Sequence, residues 1–173
     1  ELESGELARF VPNEETPTSD PADIRIKYYP KWSDLFNDRQ LLVLASLASK
    51  IRKTAERYAK EDEEYGRAMA AALTMWLAKH LDHNSRATDW PSSAFEIGHS
   101  IANRGLAVMW KHAETNPLVK FSGSLQSMLH DVVDALRFAA DELGGTGRAE
   151  IRLASALQPP RRRYKLIVTD PPY

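Results

Sequence analysis

A mainly α-helical module leading into one or two strands of a truncated Rossmann-like α/β sheet is the fold class this chain predicts. Three observations carry the prediction. Apolar residues recur at helical spacing in long stretches between residues 37 and 143. Polar capping residues stand ahead of those stretches, and Gly144-Gly145 closes the last of them. Beyond residue 149 the period changes. Glu150-Ile151-Arg152-Leu153 alternates, and Tyr164-Lys165-Leu166-Ile167-Val168-Thr169 is a short apolar run rich in β-formers. The expected organisation is an extended lead-in at 1–36, a helical module at 37–143 and the start of a sheet at 144–173.

Pro12, Pro17, Pro21 and Pro30 stand among acidic and polar residues in the lead-in, a composition that reads as extended and weakly structured. Tyr28, Tyr29, Trp32, Leu35 and Phe36 at its end are expected to dock it onto the helices. Asn37 or Asp38 caps a first long helix running to about Lys60, with Leu41, Leu44, Ala45, Ala48, Ile51, Ala55 and Tyr58 at helical spacing. Its second half carries Lys50, Arg52, Lys53, Arg57 and Lys60 against Glu56, a basic surface that either follows a nucleic-acid backbone or is simply solvated. A second helix spans Asp62 to Leu81, and its small, apolar middle from Ala68 to Leu73 predicts burial on more than one face. Asp82 to Trp90 is a polar loop. Ser93 with Glu96 forms a capping-box pattern for a third helix, running from Pro91 to about Glu114 with a weak point at Gly105. The clearest helix lies between Ser124 and Leu143, where Leu125, Met128, Leu129, Val132, Leu136, Ala139, Ala140 and Leu143 make a long stripe.

Composition narrows the function classes. The chain of 173 residues is 43% hydrophobic and 27% charged, an ordinary globular composition that predicts a folded chain instead of disorder over its whole length. A formal net charge of −1 leaves open only a local basic face for nucleic acid. The absence of cysteine removes disulfides, thiolate zinc sites and cysteine nucleophiles, and it fits a reducing cytoplasm. No apolar run reaches the length of a membrane span, and no signal-peptide pattern opens the chain, so a cytoplasmic protein with no membrane partner is expected. Because the sequence opens on Glu1 and closes on Tyr173 directly after a strand-like run, it is expected to be an excerpt. His80, His83, His99, His112 and His130 show no ligand spacing, and no metal is expected. Trp76, Trp90 and Trp110 fall among helical apolar positions and read as core. Arg161-Arg162-Arg163 either contacts phosphates or is a solvated loop.

The chemistry is readable at Asp170-Pro171-Pro172-Tyr173. A buried strand delivers an acid and two prolines to the carboxyl end of a sheet, where open α/β folds place their ligands. Consecutive prolines fix φ and lack amide protons, which stiffens the turn and leaves its carbonyls outward. An exocyclic amine on a nucleobase is a poor nucleophile, because its lone pair is delocalised into the ring. Acceptance of its two hydrogens by the Asp170 carboxylate and the Pro171 carbonyl localises that pair and stabilises the charge that grows on nitrogen. Tyr173 can stack on a base rotated out of its duplex. The plain alternative is an Asp-Pro turn with a surface tyrosine.

The tetrapeptide resembles motif IV of the amino-methyltransferases. The stretches YPKWSDLFNDRQLLVLASLASKIR, LAKHLDHNSRATDW and IRLASALQPPRRRYKLIVTDPPY are similar to the large adenine-specific DNA methylases of prokaryotic defence islands, over most of residues 28–173. The resemblance implies S-adenosyl-L-methionine as cofactor and adenine N6 in DNA as target, with RNA and guanine N2 as the variant within the class. It implies restriction-modification or phage defence as the setting, with other defence proteins as possible partners. It also implies catalytic roles for Asp170, Pro171, Pro172 and Tyr173, and raises Asn84, Arg86 and Trp90 as nucleic-acid contacts. From composition alone, Asp82-His83-Asn84-Ser85-Arg86 reads first as a helix C-cap and a polar turn tying two helices together, and the resemblance brings a substrate-positioning role nearly level with that. The family's cofactor loop, D-P-F-x-G-x-G, is missing. Gly144-Gly145-Thr146-Gly147 follows a helix instead of opening one, so no cofactor-binding residue is expected in this chain. Set against the enzyme is a non-enzymatic helical module that binds DNA or a partner protein.

Overall fold

The computed structural model describes residues 2–17, 24–93, 97–101, 108–121, 123–145, 150–151, 153–155, 157–158 and 163–170. The lead-in is more structured than its prolines predict. It holds two 3-10 turns, Glu6–Phe10 and Trp32–Leu35, and a short helix α1, Ile24–Tyr28. Residues 12–16 run back against 29–33 because their backbone groups find partners there. Thr16 N–H donates to Pro30 O (2.9 Å), Trp32 N–H to Glu14 O (3.1 Å) and Ser33 N–H to Pro12 O (2.8 Å). The Thr16 hydroxyl adds a bond to Tyr29 O at 2.7 Å.

Caps decide where the long helices begin. Asn37 Oδ1 accepts from Gln40 N–H and Gln40 Oε1 accepts from Asn37 N–H, both at 3.0 Å, a reciprocal box that opens α2, Asp38–Ala59. Asp62 Oδ1 accepts from Tyr65 N–H at 3.0 Å and opens α3, Glu63–Asp82. Ser124 Oγ accepts from Ser127 N–H at 3.3 Å and opens α4, Leu125–Leu143, which Gly144 ends. Only residues 60–62 join α2 to α3, so the two helices fold back on each other as a hairpin. Gly66 permits the sharp closure: a Cβ there would stand 2.7 Å from the Ala59 Cα. The second half of α3 carries α4, through Trp76 Nε1–H to Leu125 O (2.8 Å) and the Lys79–Asp131 ion pair.

The fold is thus mainly α-helical. Its apolar core joins Tyr29, Leu35 and Phe36 of the lead-in to Leu44 of α2 and Ala87. Those aromatics dock as their sequence position predicts, Tyr28 excepted, which is 40% exposed. Among the described residues no helix is long and apolar enough to cross a membrane.

Four expectations are corrected. The third helix, Pro91 to Glu114, does not form in its described portions, because their amides reach distant partners instead of the carbonyl four residues back. Gly98 N–H donates to Asp89 O (3.0 Å), Ser100 N–H to Asp82 O (2.8 Å) and Ala113 N–H to Thr88 O (3.4 Å). Trp110, carried on that segment, is 87% exposed. The run at 164–169 forms no strand among the described residues, and its residues are exposed instead of buried. Ala68 and Ala71 of α3 are exposed, because α4 reaches only the later turns of that helix. The stripe of α4 is covered at Met128 and half-covered at Leu129 and Val132, yet Leu136 and Leu143 are exposed beyond the reach of α3.

Candidate functional site

Where α3 ends, the chain enters a loop whose polar side chains are buried. His80, Gln40, Asn84, Thr88, Ser85 and Ser124 are the largest fully buried side chains. Burying such groups costs free energy unless each finds a partner, and their bonds, which among the described residues leave only His80 Nδ1 of these six side chains without one, dictate one arrangement. The direction of those bonds follows from one end. Gln40 Oε1 is spent on Asn37 N–H, so Gln40 Nε2 donates to Asn84 Oδ1 at 3.3 Å. Asn84 Nδ2 is then the donor toward His80 Nε2 at 3.2 Å, which leaves the ring proton of His80 on Nδ1. Burial holds the His80 imidazole below its ordinary value, in keeping with a neutral ring. Thr88 Oγ1 bonds to Ser85 O and Ala113 O, both at 2.8 Å, and fastens residue 113 to the loop.

Of the three residues raised as nucleic-acid contacts, two are occupied by the fold. Asn84 is 1% exposed with both ends of its amide engaged. Arg86 donates from Nη1 to Asp34 O (3.0 Å) and from its backbone to Leu35 O (2.6 Å), with its guanidinium over the Tyr29 ring. These contacts match the turn that ties elements together. Trp90 differs: it is 50% exposed, and its ring lies nearly parallel to Phe121, 6.3 Å between centroids and 12° between planes. It is the one of the three that is exposed.

Beside Asn84 lies a cavity of about 480 Å³, walled by Arg39, Gln40, Asn84, Glu114, Thr115 and Asn116 among others. Arg39 grips Glu114 with two bonds, Nε to Oε1 at 2.9 Å and Nη2 to Oε2 at 2.8 Å, while Asn37 Nδ2 donates to the same carboxylate at 2.9 Å. The Arg39 guanidinium therefore holds the Glu114 carboxyl below the usual carboxylate range. With its cation neutralised, this cavity presents no net positive charge to a phosphate.

A second cluster joins the end of α3 to the segment 97–101. His99 Nδ1 stands 2.6 Å from Asp82 Oδ2, and Asp82 Oδ1 accepts from Ile101 N–H at 2.9 Å. His83 Nδ1 lies 3.1 Å from Ile97 O, and the His83 and His99 rings are 4.2 Å apart. Burial pushes the His83 imidazole down from its ordinary value. Sequence spacing hides this group, since Asp82 and His83 are adjacent and the third member comes from a segment read as helix.

Asp170 is exposed at the end of the described segment 163–170, and Pro171, Pro172 and Tyr173 lie outside the described residues. Arg161 and Arg162 lie outside them too. Among the described residues, Asp170 has no hydrogen bond or ion pair with Asn84, Arg86 or Trp90. Comparison with protein-family models, with curated proteins and with solved structures finds no match.

Proposed function

We propose that this chain is part of an S-adenosyl-L-methionine-dependent amino-methyltransferase acting on adenine N6 in DNA, within a restriction-modification or phage-defence system of the cytoplasm. It contributes a helical module and the acceptor-side tetrapeptide. The observation that carries the reading is the coupling of Asp170-Pro171-Pro172-Tyr173 to the run before it. Leu166, Ile167 and Val168 are 78%, 73% and 83% exposed. A surface turn gains nothing from three consecutive β-forming aliphatic residues ahead of it, whereas the central strand of a parallel sheet requires them.

In this reading the Asp170 carboxylate and the Pro171 carbonyl accept the two amino hydrogens of the target base, and Tyr173 stacks on the base. The described residues do not fit the methyl donor. Gly144 and Gly145 end a helix instead of opening one after a strand, so no glycine-rich cradle is formed among the described residues.

The test is methyl transfer from radiolabelled S-adenosyl-L-methionine to adenine-containing DNA by the longest polypeptide encoding this chain. Asp170→Ala is expected to lower turnover by about 10²–10³, as for loss of another electrostatic stabiliser. Asp170→Asn, which keeps one acceptor oxygen, is expected to retain part of the activity. Chain 1–173 alone is expected to give no heat of binding with S-adenosyl-L-methionine. Near-normal turnover in Asp170→Ala would reduce the tetrapeptide to a turn and leave a helical DNA- or protein-binding module. Label appearing on guanine N2 in RNA would move the substrate within the class.

A further inference from the structure

We propose that Asp82, His83 and His99 form a site for a divalent transition-metal ion of the zinc class, which clips the segment around His99 to the C-terminal end of α3. The site is independent of methyl transfer.

One donor atom from each of the three residues lies within 4.8 Å of the other two. Two imidazoles and a carboxylate are the donor set that zinc accepts, with the fourth position left to water. Two of the three ligands, His83 and Asp82, are held by a further partner, as metal ligands are. A carbonyl can only accept, so His83 Nδ1, 3.1 Å from Ile97 O, carries the proton and the Nε2 lone pair is left available. Asp82 Oδ1 is fixed by Ile101 N–H (2.9 Å) and by the Ser100 hydroxyl (3.3 Å), which leaves Oδ2 to act.

Oδ2 meets His99 Nδ1 at 2.6 Å, with a proton between them. A metal ion takes the place of that proton. The position also favours a cation, since the carbonyls that end α3 carry the negative pole of the helix. Lys79, one turn earlier on α3, is engaged by Asp131 of α4.

A simple ion pair explains less. It accounts for His99 beside Asp82 but gives no part to the approach of the His83 ring, whose centroid is 4.2 Å from that of His99. A shared cation makes that approach favourable. Zinc bonds of about 2.0–2.2 Å place tetrahedral ligands about 3.3 Å apart, so Asp82 Oδ2 and His99 Nδ1, now 2.6 Å apart, must separate by roughly 0.7 Å, while any donor pair nearer the 4.8 Å limit must close. The His99 side chain, 56% exposed, is free to rotate that far while Asp82 and His83 keep their anchors.

The experiment uses chain 1–173 without an affinity tag and zinc chloride as the probe, in competition with a chromogenic chelator. One zinc per chain is expected. His99→Ala and His83→Ala are each expected to weaken binding by more than about tenfold, the lower range for loss of a mere supporting partner. His130→Ala, on the exposed face of α4, is expected to leave it unchanged. Cobalt(II) is expected to give the visible absorption of a four- or five-coordinate ion, lost in His99→Ala. Circular dichroism checks that each variant folds, and if His83→Ala does not, the exposed His99→Ala decides alone. Zinc affinity equal in the parent chain and in His99→Ala overturns the proposal, as does binding abolished by His130→Ala.

Discussion

Replacing Asn84 by Ala separates a packing role from a recognition role. Asn84, Gln40 and His80 are 1%, 1% and 0% exposed, so both partners of the lost amide are deep inside. The substitution strands the Gln40 Nε2 donor and the His80 Nε2 acceptor, which now bond to Asn84 at 3.3 and 3.2 Å. Each stranded group costs about 1–3 kcal/mol. The neighbouring cavity admits water to part of the gap, which brings the expected total to roughly 2–4 kcal/mol. Urea unfolding followed by far-ultraviolet circular dichroism measures it by linear extrapolation. Asn84→Asp sharpens the test. It keeps the acceptor for Gln40 but sets an oxygen against His80 Nε2, so protonation of His80 becomes favourable and its value rises. Stability tied to a raised histidine value is present at low pH and lost as pH climbs, so this variant is expected to recover on mild acidification. If Asn84→Ala stays within about 0.5 kcal/mol of the parent while DNA affinity by fluorescence anisotropy falls, the buried network is wrong and Asn84 is a contact residue.

Met128 is 2% exposed and Leu136 45%, so Met128→Ala is expected to cost about 2–4 kcal/mol and Leu136→Ala under about 1 kcal/mol; urea titrations showing the reverse order would mean that α4 turns a different face to α3. Gly66→Ala is expected to lower the melting temperature by pushing α2 and α3 apart at Ala59, at about 1–3 kcal/mol of overpacking, and an unchanged melting point would contradict the close approach. The Glu114 carboxyl is depressed by Arg39, so its contribution is present above the unfolded value of about 4.3 and lost as pH falls through the lower folded value. Calorimetry of Glu114→Gln is expected to show a melting-temperature deficit at neutral pH that closes below about pH 4, and a deficit constant down to acid would assign it to something other than charge.

The helices were legible where local chemistry governs them. Asn37, Asp62 and Ser124 cap the positions at which α2, α3 and α4 begin, and each does so with a bond spanning three residues, within reach of a sequence reading. Segment 91–114 was not legible, because its Ser93/Glu96 signal is local while its amides are claimed by Asp82, Thr88 and Asp89. Arg39 meets Glu114 across 75 positions and Gln40 meets Asn84 across 44, distances at which periodicity carries no information. The same limit concealed the Asp82–His83–His99 group. Asp170 stood out through the chemistry of its neighbours in sequence, and that is also why the fold of the helices adds nothing to it.

The chemical character of the buried centre bears on how this protein responds to temperature. Exposure of apolar surface raises the heat capacity on unfolding, whereas exposure of polar surface lowers it. Here amides, hydroxyls and an imidazole take the innermost positions, while Leu136, Phe138 and Leu143 of α4 are already wetted in the folded state. The heat-capacity increment is therefore expected to fall below the usual figure of about 12–15 cal/mol/K per residue, which calorimetry would measure. Its free-energy curve against temperature is correspondingly broad and shallow. Cooling this protein from body temperature toward freezing changes its stability less than it would for an oil-filled domain of equal length.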